Sequence, residues 1–353
     1  MHSPNSLGKA AVGRAGKGLF LVACLAILGG CGYNPVYQTT GVVLTGYSES
    51  EATPYVMQMS DADMACRLGE GLDPLVYSFN RVTDAPDTTG SLLQLLAANC
   101  SEQEAWEQEL RYLRANFQGD VPEAKDARIQ AKRWYGLTAS RRLEAFHRAM
   151  RAYEYDPSDA NAECPFLYED QDELTFLLGV LTGLQAITND TGSGGQAGVP
   201  KDIAPQAERA AQCVDNEKWG GIPNAIRANV WLLIPDTRPT MSPDPWELLE
   251  NSSELGVKAG FRASMALEAV AAETQGRQDV IKDVIARFAA SEKTIKKSED
   301  YRLVDEIGSA VILHVSDKYW SAEYGYRTPR THFGKMSPDS ASDADVMDLD
   351  DLL

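Results

Sequence analysis

The sequence predicts an all-α protein made of stacked antiparallel helix pairs, in a solenoid or a bundle. Apolar residues recur at spacings of three and four along most of the chain after residue 60, which is the period of an α-helix with one buried face. Runs of alternating β-branched residues, which would indicate strands, are scarce. Glycine and proline clusters divide the predicted helical sequence into segments of ordinary helix length.

Local sequence signals predict where individual helices begin and end. Ser101 and Glu104 have the spacing of a capping box, which predicts that a helix begins at Ser101. A Gly-Asp-Val-Pro break ends this helix, and a long helical segment is predicted from about 123 to 155. Residues 174–188 carry no charge, and their length predicts a buried core helix rather than a membrane span.

The N-terminal region has the pattern of an exported lipoprotein. Residues 1–18 contain three basic residues and no acid, and residues 19–28 form an apolar run too short to span a bilayer. Leu28-Gly29-Gly30-Cys31 resembles the lipobox of bacterial lipoproteins, in which the peptide is cut before the cysteine and the thiol carries a lipid such as palmitate. We therefore expect a signal peptide over 1–30 and lipidation at Cys31. An ordinary signal peptide with an incidental cysteine is the alternative.

Charge and position suggest the compartment. Gly32 follows the cysteine, and the absence of Asp there favours the outer membrane, with the protein on its periplasmic face. The chain has 33 Lys and Arg against 51 Asp and Glu, and loss of the three basic signal residues lowers the net charge from −18 to −21. Nucleic acid is excluded as a partner because its phosphates require clustered basic residues. Anionic lipid also repels an acidic surface, so membrane contact is expected through the acyl chains alone.

The mature chain divides into three predicted parts. Residues 31–58 are rich in Gly, Ser, Thr and Pro and predict a flexible tether, which when stretched would reach ~90 Å. An all-helical domain is expected over 59–330. Residues 331–353 predict an acidic disordered tail, with a short partner-binding helix near its end as an alternative.

Four further cysteines predict two disulfides in an oxidising compartment: Cys66, Cys100, Cys164 and Cys213. Three pairings are open, and the most local one joins Cys66 to Cys100 and Cys164 to Cys213. Buried free thiols are the alternative.

The sequence predicts no catalytic activity, no cofactor and no metal site. The mature chain has three histidines, His147, His314 and His332, and they are far apart. The HExxH motif of metalloproteases and the GxSxG motif of hydrolases are both missing.

A pattern of small residues suggests helix pairing. Ala145, Ala149, Ala152 and Pro157 resemble the second half of a tetratricopeptide repeat, in which small residues let two helices lie close together. Together with the lipobox and the helical body, residues 60–290 resemble the T components (TatT-like lipoproteins) of tripartite periplasmic (TRAP) transporters. The resemblance implies a periplasmic substrate-binding protein as partner, a homo-oligomer, and a small apolar or carboxylated ligand held in an apolar cavity.

One segment is a candidate ligand-binding site because it combines large aromatic surfaces, a tight turn and polar groups. Its residues are Trp219, Gly220, Gly221, Asn224, Arg227 and Trp231. Two tryptophans around an interhelical turn are also typical of simple packing, which is the alternative.

The hypothesis from sequence is a lipid-anchored, non-catalytic binding or adaptor protein of a TRAP-type solute-uptake system. The alternative is a scaffold lipoprotein of an envelope assembly. The uptake hypothesis expects an apolar cavity within the helical body, whereas the scaffold hypothesis expects an exposed groove.

Overall fold

The computed structural model describes residues 34–338, and these residues form helices and connecting turns without a strand. The all-α prediction is confirmed. The N-terminal helices are α1 (Pro35–Tyr47), α2 (Thr53–Met57), α3 (Ala62–Tyr77), α4 (Asp87–Gln118), α5 (Val121–Ala152) and α6 (Asp170–Ser193). The C-terminal helices are α7 (Ile203–Ala211), α8 (Ile222–Leu233), α9 (Pro245–Ala259), α10 (Ala263–Thr274), α11 (Gln278–Ser291) and α12 (Arg302–Glu323).

The two longest helices, α4 and α5, form an antiparallel hairpin with a two-residue connection. Gly119 ends α4 in the left-handed conformation, with φ at 75°. The side chain of Asp120 then accepts a hydrogen bond from the backbone N–H of Glu123. Pro122 lies in the first turn of α5, where a backbone N–H would have no partner within the helix, so proline costs no helical hydrogen bond there. This local chemistry turns the chain back on itself and aligns α5 along α4.

Small residues let α6 approach α5. Ala149 of α5 is fully buried, and a Cβ atom placed on Gly179 of α6 would lie 2.2 Å from its Cβ atom. Ala145 faces α4, where its backbone carbonyl accepts a hydrogen bond of 2.9 Å from Ser91. The alanines at these two positions therefore do the packing that the repeat-like pattern predicted.

The helix series closes into a bundle. Helix α12 packs against α10 and against α4, so the last long helix returns to the first. Helices α8, α9 and α11 pack around α10, and α6 connects the two groups through α7 and α8. Of the two predicted arrangements, the structure has the bundle, and a hollow remains between the N-terminal and the C-terminal helices.

A buried ion pair fixes α10 against α12. Arg262, immediately before α10, is fully buried, and it donates to both carboxylate oxygens of Asp305 in α12 at 2.8 and 2.7 Å. Its guanidinium also lies 4.0 Å above the ring of Phe288 in α11 and donates to Ser291 at 3.0 Å. A buried pair of this kind is tolerated only when its remaining donors are satisfied, and here side chains of α11 and α12 satisfy them.

Two disulfides are present, and they use the most local pairing: Cys66 with Cys100 and Cys164 with Cys213. The first joins α3 to α4, and the second joins the loop after α5 to the end of α7. Each bond closes a loop of the chain and restricts the unfolded state.

The segment predicted as a flexible tether is helical from Pro35 onward. Helix α1 is followed by a π-helical turn, Ser48–Ala52, and by α2. The side chain of Asn34 caps α1 by accepting from the N–H of Val36, and the threonine and serine hydroxyls along the segment bond to carbonyls four or five residues earlier. The composition of this segment predicted a flexible tether because it does not reveal these local hydrogen bonds.

The helical domain also extends past the predicted boundary at residue 330. Phe333 packs against Phe288, and the indole N–H of Trp320 donates to the carbonyl of Lys335 at 3.2 Å. The hydroxyl of Tyr324 donates to the carbonyl of Met336 at the same distance. The helical domain therefore continues to about Met336, and residues 339–353 lie outside the described range.

The predicted helix start at Ser101 is wrong. Helix α4 runs without interruption through this position, where Ser101 is buried and its hydroxyl donates to the carbonyl of Ala98. The hydroxyl of Thr138 in α5 donates to Ser101 in turn. The packing of α4 on α5 therefore overrides the local capping signal.

Within residues 34–338 none of the helices has both the length and the apolar content that a bilayer crossing requires.

Two glycine substitutions test the close approach of α5 and α6. Alanine normally stabilises a helix interior by ~1 kcal/mol relative to glycine. We expect Gly179→Ala to destabilise the protein instead, by about 1–3 kcal/mol, because the new methyl group meets Ala149. Gly71→Ala in α3 is the matched control, since a Cβ atom there meets nothing within 4 Å, and it should be stabilising. Denaturant unfolding with the disulfides intact measures both. Equal signs for the two variants would contradict the packing.

Candidate functional site

The hollow between the two helix groups is a cavity of about 440 Å³. Helices α4, α5, α6, α10 and α12 contribute its walls. This volume lies within the range of sites that hold small organic molecules. The closure of α12 onto α4 makes the cavity, because an open series of helices would leave this space as a surface groove.

Most of the wall is apolar. Leucines from α4 and α6 face aliphatic residues from α10 and α12 across the cavity. Prominent members are Leu95, Leu96, Leu178, Leu181, Leu267 and Val311. A surface of this kind favours the apolar part of a ligand through the hydrophobic effect.

A cluster of charged groups lies where α4 meets α12. One carboxylate oxygen of Glu109 accepts a 2.8 Å hydrogen bond from the hydroxyl of Tyr135 and lies 3.1 Å from Nε2 of His314. The other oxygen lies 3.0 Å from Nζ of Lys318, which also contacts Glu273 at 2.6 Å. Glu109 thus joins three helices around one end of the cavity.

Three groups of this cluster, Glu109, Lys318 and Tyr135, are held in their ordinary charge states. Burial alone would raise the pKa of Glu109, but the hydrogen bond from His314 and the charge of Lys318 outweigh it and lower the pKa to about 2. Burial opposes the charge of Lys318, yet Glu273 and Glu109 raise its pKa above the ordinary value. Burial, reinforced by Glu109, raises the pKa of Tyr135. At neutral pH the carboxylate is therefore ionised, the ammonium protonated and the phenol neutral.

An aromatic stack supports the same junction. The imidazole of His314 lies parallel to the indole of Trp106, with ring centroids 4.5 Å apart and an angle of 12° between the planes. His314 is buried. Stacking on α4 and the contact with Glu109 hold this histidine in one orientation on the cavity wall.

A second polar group lies deeper, where α4, α5 and α6 meet. Arg142 is buried and pairs with Glu102, which also accepts a 2.9 Å hydrogen bond from the side chain of Asn189. Burial lowers the pKa of Arg142 although Glu102 opposes this effect. Nε of Arg142 and Oδ1 of Asn189 are buried and have no hydrogen-bond partner among the described residues. Both residues line the cavity, so a ligand or water can complete their bonding.

The rim of the cavity is basic. Arg128 of α5 and Gly192 of α6 are exposed, and Tyr112 and Lys132 are half-buried. The guanidinium of Arg128 lies 5.5 Å from the ring centroid of Tyr112, and neither Arg128 nor Lys132 forms an ion pair within residues 34–338. The lining as a whole has four basic and three acidic side chains, whereas the protein carries a net charge of −18. The cavity is therefore a locally positive region.

The segment predicted to bind ligand lies elsewhere. None of its six residues lines the cavity. Trp219 is buried, its indole N–H donates to Glu173 at 2.6 Å, and its ring packs on Tyr301. A Cβ atom on Gly221 would lie 2.5 Å from the backbone of Ser252 in α9, so this glycine, with φ at 77°, serves close packing.

The polar members of the segment are also engaged within the protein. The backbone N–H of Asn224 donates to the side chain of Asn216, and Arg227 pairs with Glu208 at 2.9 Å. The guanidinium of Arg227 lies 5.0 Å from the ring of Trp231, which is buried. These residues therefore form the junction of α7, α8 and α9, which is the packing alternative.

Sequence reasoning missed the cavity residues. Of the three histidines of the predicted mature chain, His147 is exposed, His332 is half-buried against Trp320, and only His314 reaches the cavity. A weak signal existed in α12, where His314 and Lys318 share one face of the helix at a spacing of four. No group of three or more His, Cys, Asp or Glu side chains that could hold a metal ion occurs between residues 34 and 338.

Comparisons of this chain with protein-family models, with curated proteins and with solved structures find no match.

Replacement of Glu109 should change the pH dependence of stability. Its pKa is about 2 in the folded protein and lies below the ordinary 4.5, so the ionised form stabilises the fold above about pH 5, and this stabilisation is lost as the pH falls toward about 2. We expect Glu109→Gln to lower the free energy of unfolding by about 2–3 kcal/mol at neutral pH. On acidification this variant should lose less stability than the wild type.

Denaturant unfolding at a series of pH values measures this effect. Glu104→Gln, which removes a more exposed carboxylate from the same helix, is the matched control and should keep the wild-type pH profile. Parallel profiles for the wild type and Glu109→Gln would contradict the assignment of Glu109 as the junction of α4, α5 and α12.

Proposed function

We propose that this chain is a lipid-anchored periplasmic binding protein that captures a small amphipathic carboxylate, as a non-catalytic adaptor of a TRAP-type solute-uptake system. The observation that carries the proposal is the cavity between α4, α5, α6, α10 and α12, with apolar walls and a basic rim. The alternative, an envelope scaffold, does not require such a cavity.

The chemistry of the wall favours a particular ligand class. The aliphatic residues accommodate a hydrocarbon portion, and burying it supplies about 25 cal/mol for each Å² removed from water. Arg128 and Lys132 offer positive charge that no acidic side chain among residues 34–338 neutralises, and Nε of Arg142 offers a buried donor. A carboxylate satisfies these donors, whereas an amine would meet repulsion.

The charge states of the cluster support capture without bond breaking. A general acid or base works best with a pKa near the operating pH. The pKa values of Glu109, Lys318 and Tyr135 all move away from neutrality. These three groups therefore hold helices together and are poorly suited to exchange protons with a substrate.

The proposal also includes the lipid anchor at Cys31 and the partner proteins. Cys31 lies outside the described residues, and its lipidation remains a prediction from the lipobox. The resemblance to TRAP T components supports a periplasmic substrate-binding protein as the donor or acceptor of the ligand, and a homo-oligomer as the assembled form. Native mass spectrometry of the protein purified from cell envelopes reports both the number of subunits and any bound ligand.

Ligands that differ only in the head group test the charge preference. Displacement of a fluorescent anionic probe measures affinity for dodecanoate, dodecanol and dodecylamine. We expect dodecanoate to bind most tightly and dodecylamine least tightly, because the rim of the cavity is positive. Equal affinity for the three, or preference for the amine, would count against a carboxylate ligand.

Rim variants locate the effect. We expect Arg128→Ala and Lys132→Ala each to weaken dodecanoate binding by about two- to fivefold, as for a partly exposed ion pair, and to leave dodecanol binding unchanged. Arg133→Ala removes an exposed charge one residue from Lys132 that does not line the cavity and is the matched control. If Arg133→Ala weakens binding as much as Lys132→Ala, the anion is not bound at this rim.

A further inference from the structure

Helix α1 belongs to a charge-free part of an otherwise acidic chain. Residues 18–48 contain no Asp, Glu, Lys, Arg or His, whereas the protein as a whole has a net charge of −18. If the chain is cut before Cys31, as the proposed function assumes, the first 18 residues of the mature protein, 31–48, carry no charged side chain. Such a stretch has neither the solvation of an ordinary surface helix nor any repulsion toward anionic lipid.

One face of α1 contacts the protein. Gly41 is its buried residue, and a Cβ atom there would lie 2.8 Å from the ring of Phe79. Gln38 and Thr45, which are half-buried, lie on the same face at spacings of three and four. The glycine lets the helix rest directly on the segment after α3.

The opposite face is uncharged, mostly apolar and exposed. Val36, Thr40, Val43 and Tyr47 follow one another at spacings of four, three and four, and all are exposed. Val43 is 64% exposed and Tyr47 is 59% exposed. Val36 and Val43 supply apolar surface to this face, and Tyr47 at its end is of the residue type enriched at membrane interfaces.

The chain length between the anchor and α1 restricts what can cover this face. Three residues lie between Cys31 and Pro35, so even a fully extended backbone of four Cα–Cα steps places the start of α1 within ~14 Å of the lipidated residue. A second copy of the chain is a poor occupant, because this face has four side chains on a helix about 20 Å long, and a stable interface buries about 800 Å² on each partner.

We propose that α1 lies on the lipid bilayer, with Val36, Thr40, Val43 and Tyr47 at the boundary of headgroups and acyl chains. The inference rests on lipidation at Cys31, which is part of the proposed function, and it adds a protein surface to the acyl chains as the membrane contact. The helical domain then sits directly on the membrane through Gly41 and Phe79, in place of hanging from a long tether.

Hydroxyl-radical footprinting of full-length protein tests this placement. The lipidated protein is reconstituted in vesicles of phosphatidylethanolamine and phosphatidylglycerol, and the lipid-free form, Cys31→Ser, is kept in solution. We expect Tyr47 to be modified several-fold more slowly in the vesicle sample. Met241, which is 97% exposed in the loop between α8 and α9, is the internal control and should react equally in both.

Two neighbouring valines supply matched variants. Val42 is 60% exposed, nearly as much as Val43, but it lies toward the protein side of the helix. We expect Val43→Asp to restore the reactivity of Tyr47 in vesicles, because a carboxylate is expelled from the interface, and Val42→Asp to keep the protection.

The outcomes separate the two proposals. A lipidated Cys31 peptide with an unprotected Tyr47 overturns the placement of α1 and leaves the anchor intact. An unmodified Cys31 in the mass spectrum overturns both. Protection of Tyr47 in the lipid-free protein that grows with protein concentration shows that a second copy covers the face, which also overturns the inference.

Discussion

Helix α12 returns to α4 at one carboxylate, Glu109, and the closed architecture depends on this contact. Glu109 accepts from Tyr135 of α5 and faces His314 and Lys318 of α12, so it joins the first, second and last long helices. A buried carboxylate is costly unless donors surround it, and here they surround it so fully that its pKa falls to about 2. Because the donors come from different helices, the charge is stabilised only when the bundle is closed.

Closure determines what the other contacts achieve. The small residues that bring α6 against α5, and the pair between Arg262 and Asp305 that fixes α10 against α12, each align two helices. Together with the contact at Glu109, they enclose about 440 Å³ that leucine and valine side chains line but do not fill. The cavity is thus a consequence of how the helices are held, and its basic rim gives it chemical selectivity.

The sequence predicted the features that depend on local pattern. Helical periodicity predicted the fold class, and of the three open pairings of the four cysteines the most local one is the one that occurs. Sequence-based prediction failed where contacts between residues distant in sequence determine the structure. Ser101 lies within a continuous helix because α5 packs on it. Trp219 packs on Tyr301 in the segment that was predicted to bind a ligand. The resemblance implied an apolar cavity, but the residues that line it could not be predicted for the same reason, since Glu109 and His314 are 205 positions apart in the sequence.

A crystal structure of the protein with dodecanoate tests the central claim most directly, because it shows whether the closed bundle holds an amphipathic carboxylate. The account predicts one molecule between α4, α6, α10 and α12, with its chain along Leu178 and Leu181 and its carboxylate within hydrogen-bonding distance of Arg128, Lys132 or Arg142. An empty cavity at saturating dodecanoate, or a molecule bound at the junction of α7, α8 and α9, would contradict it.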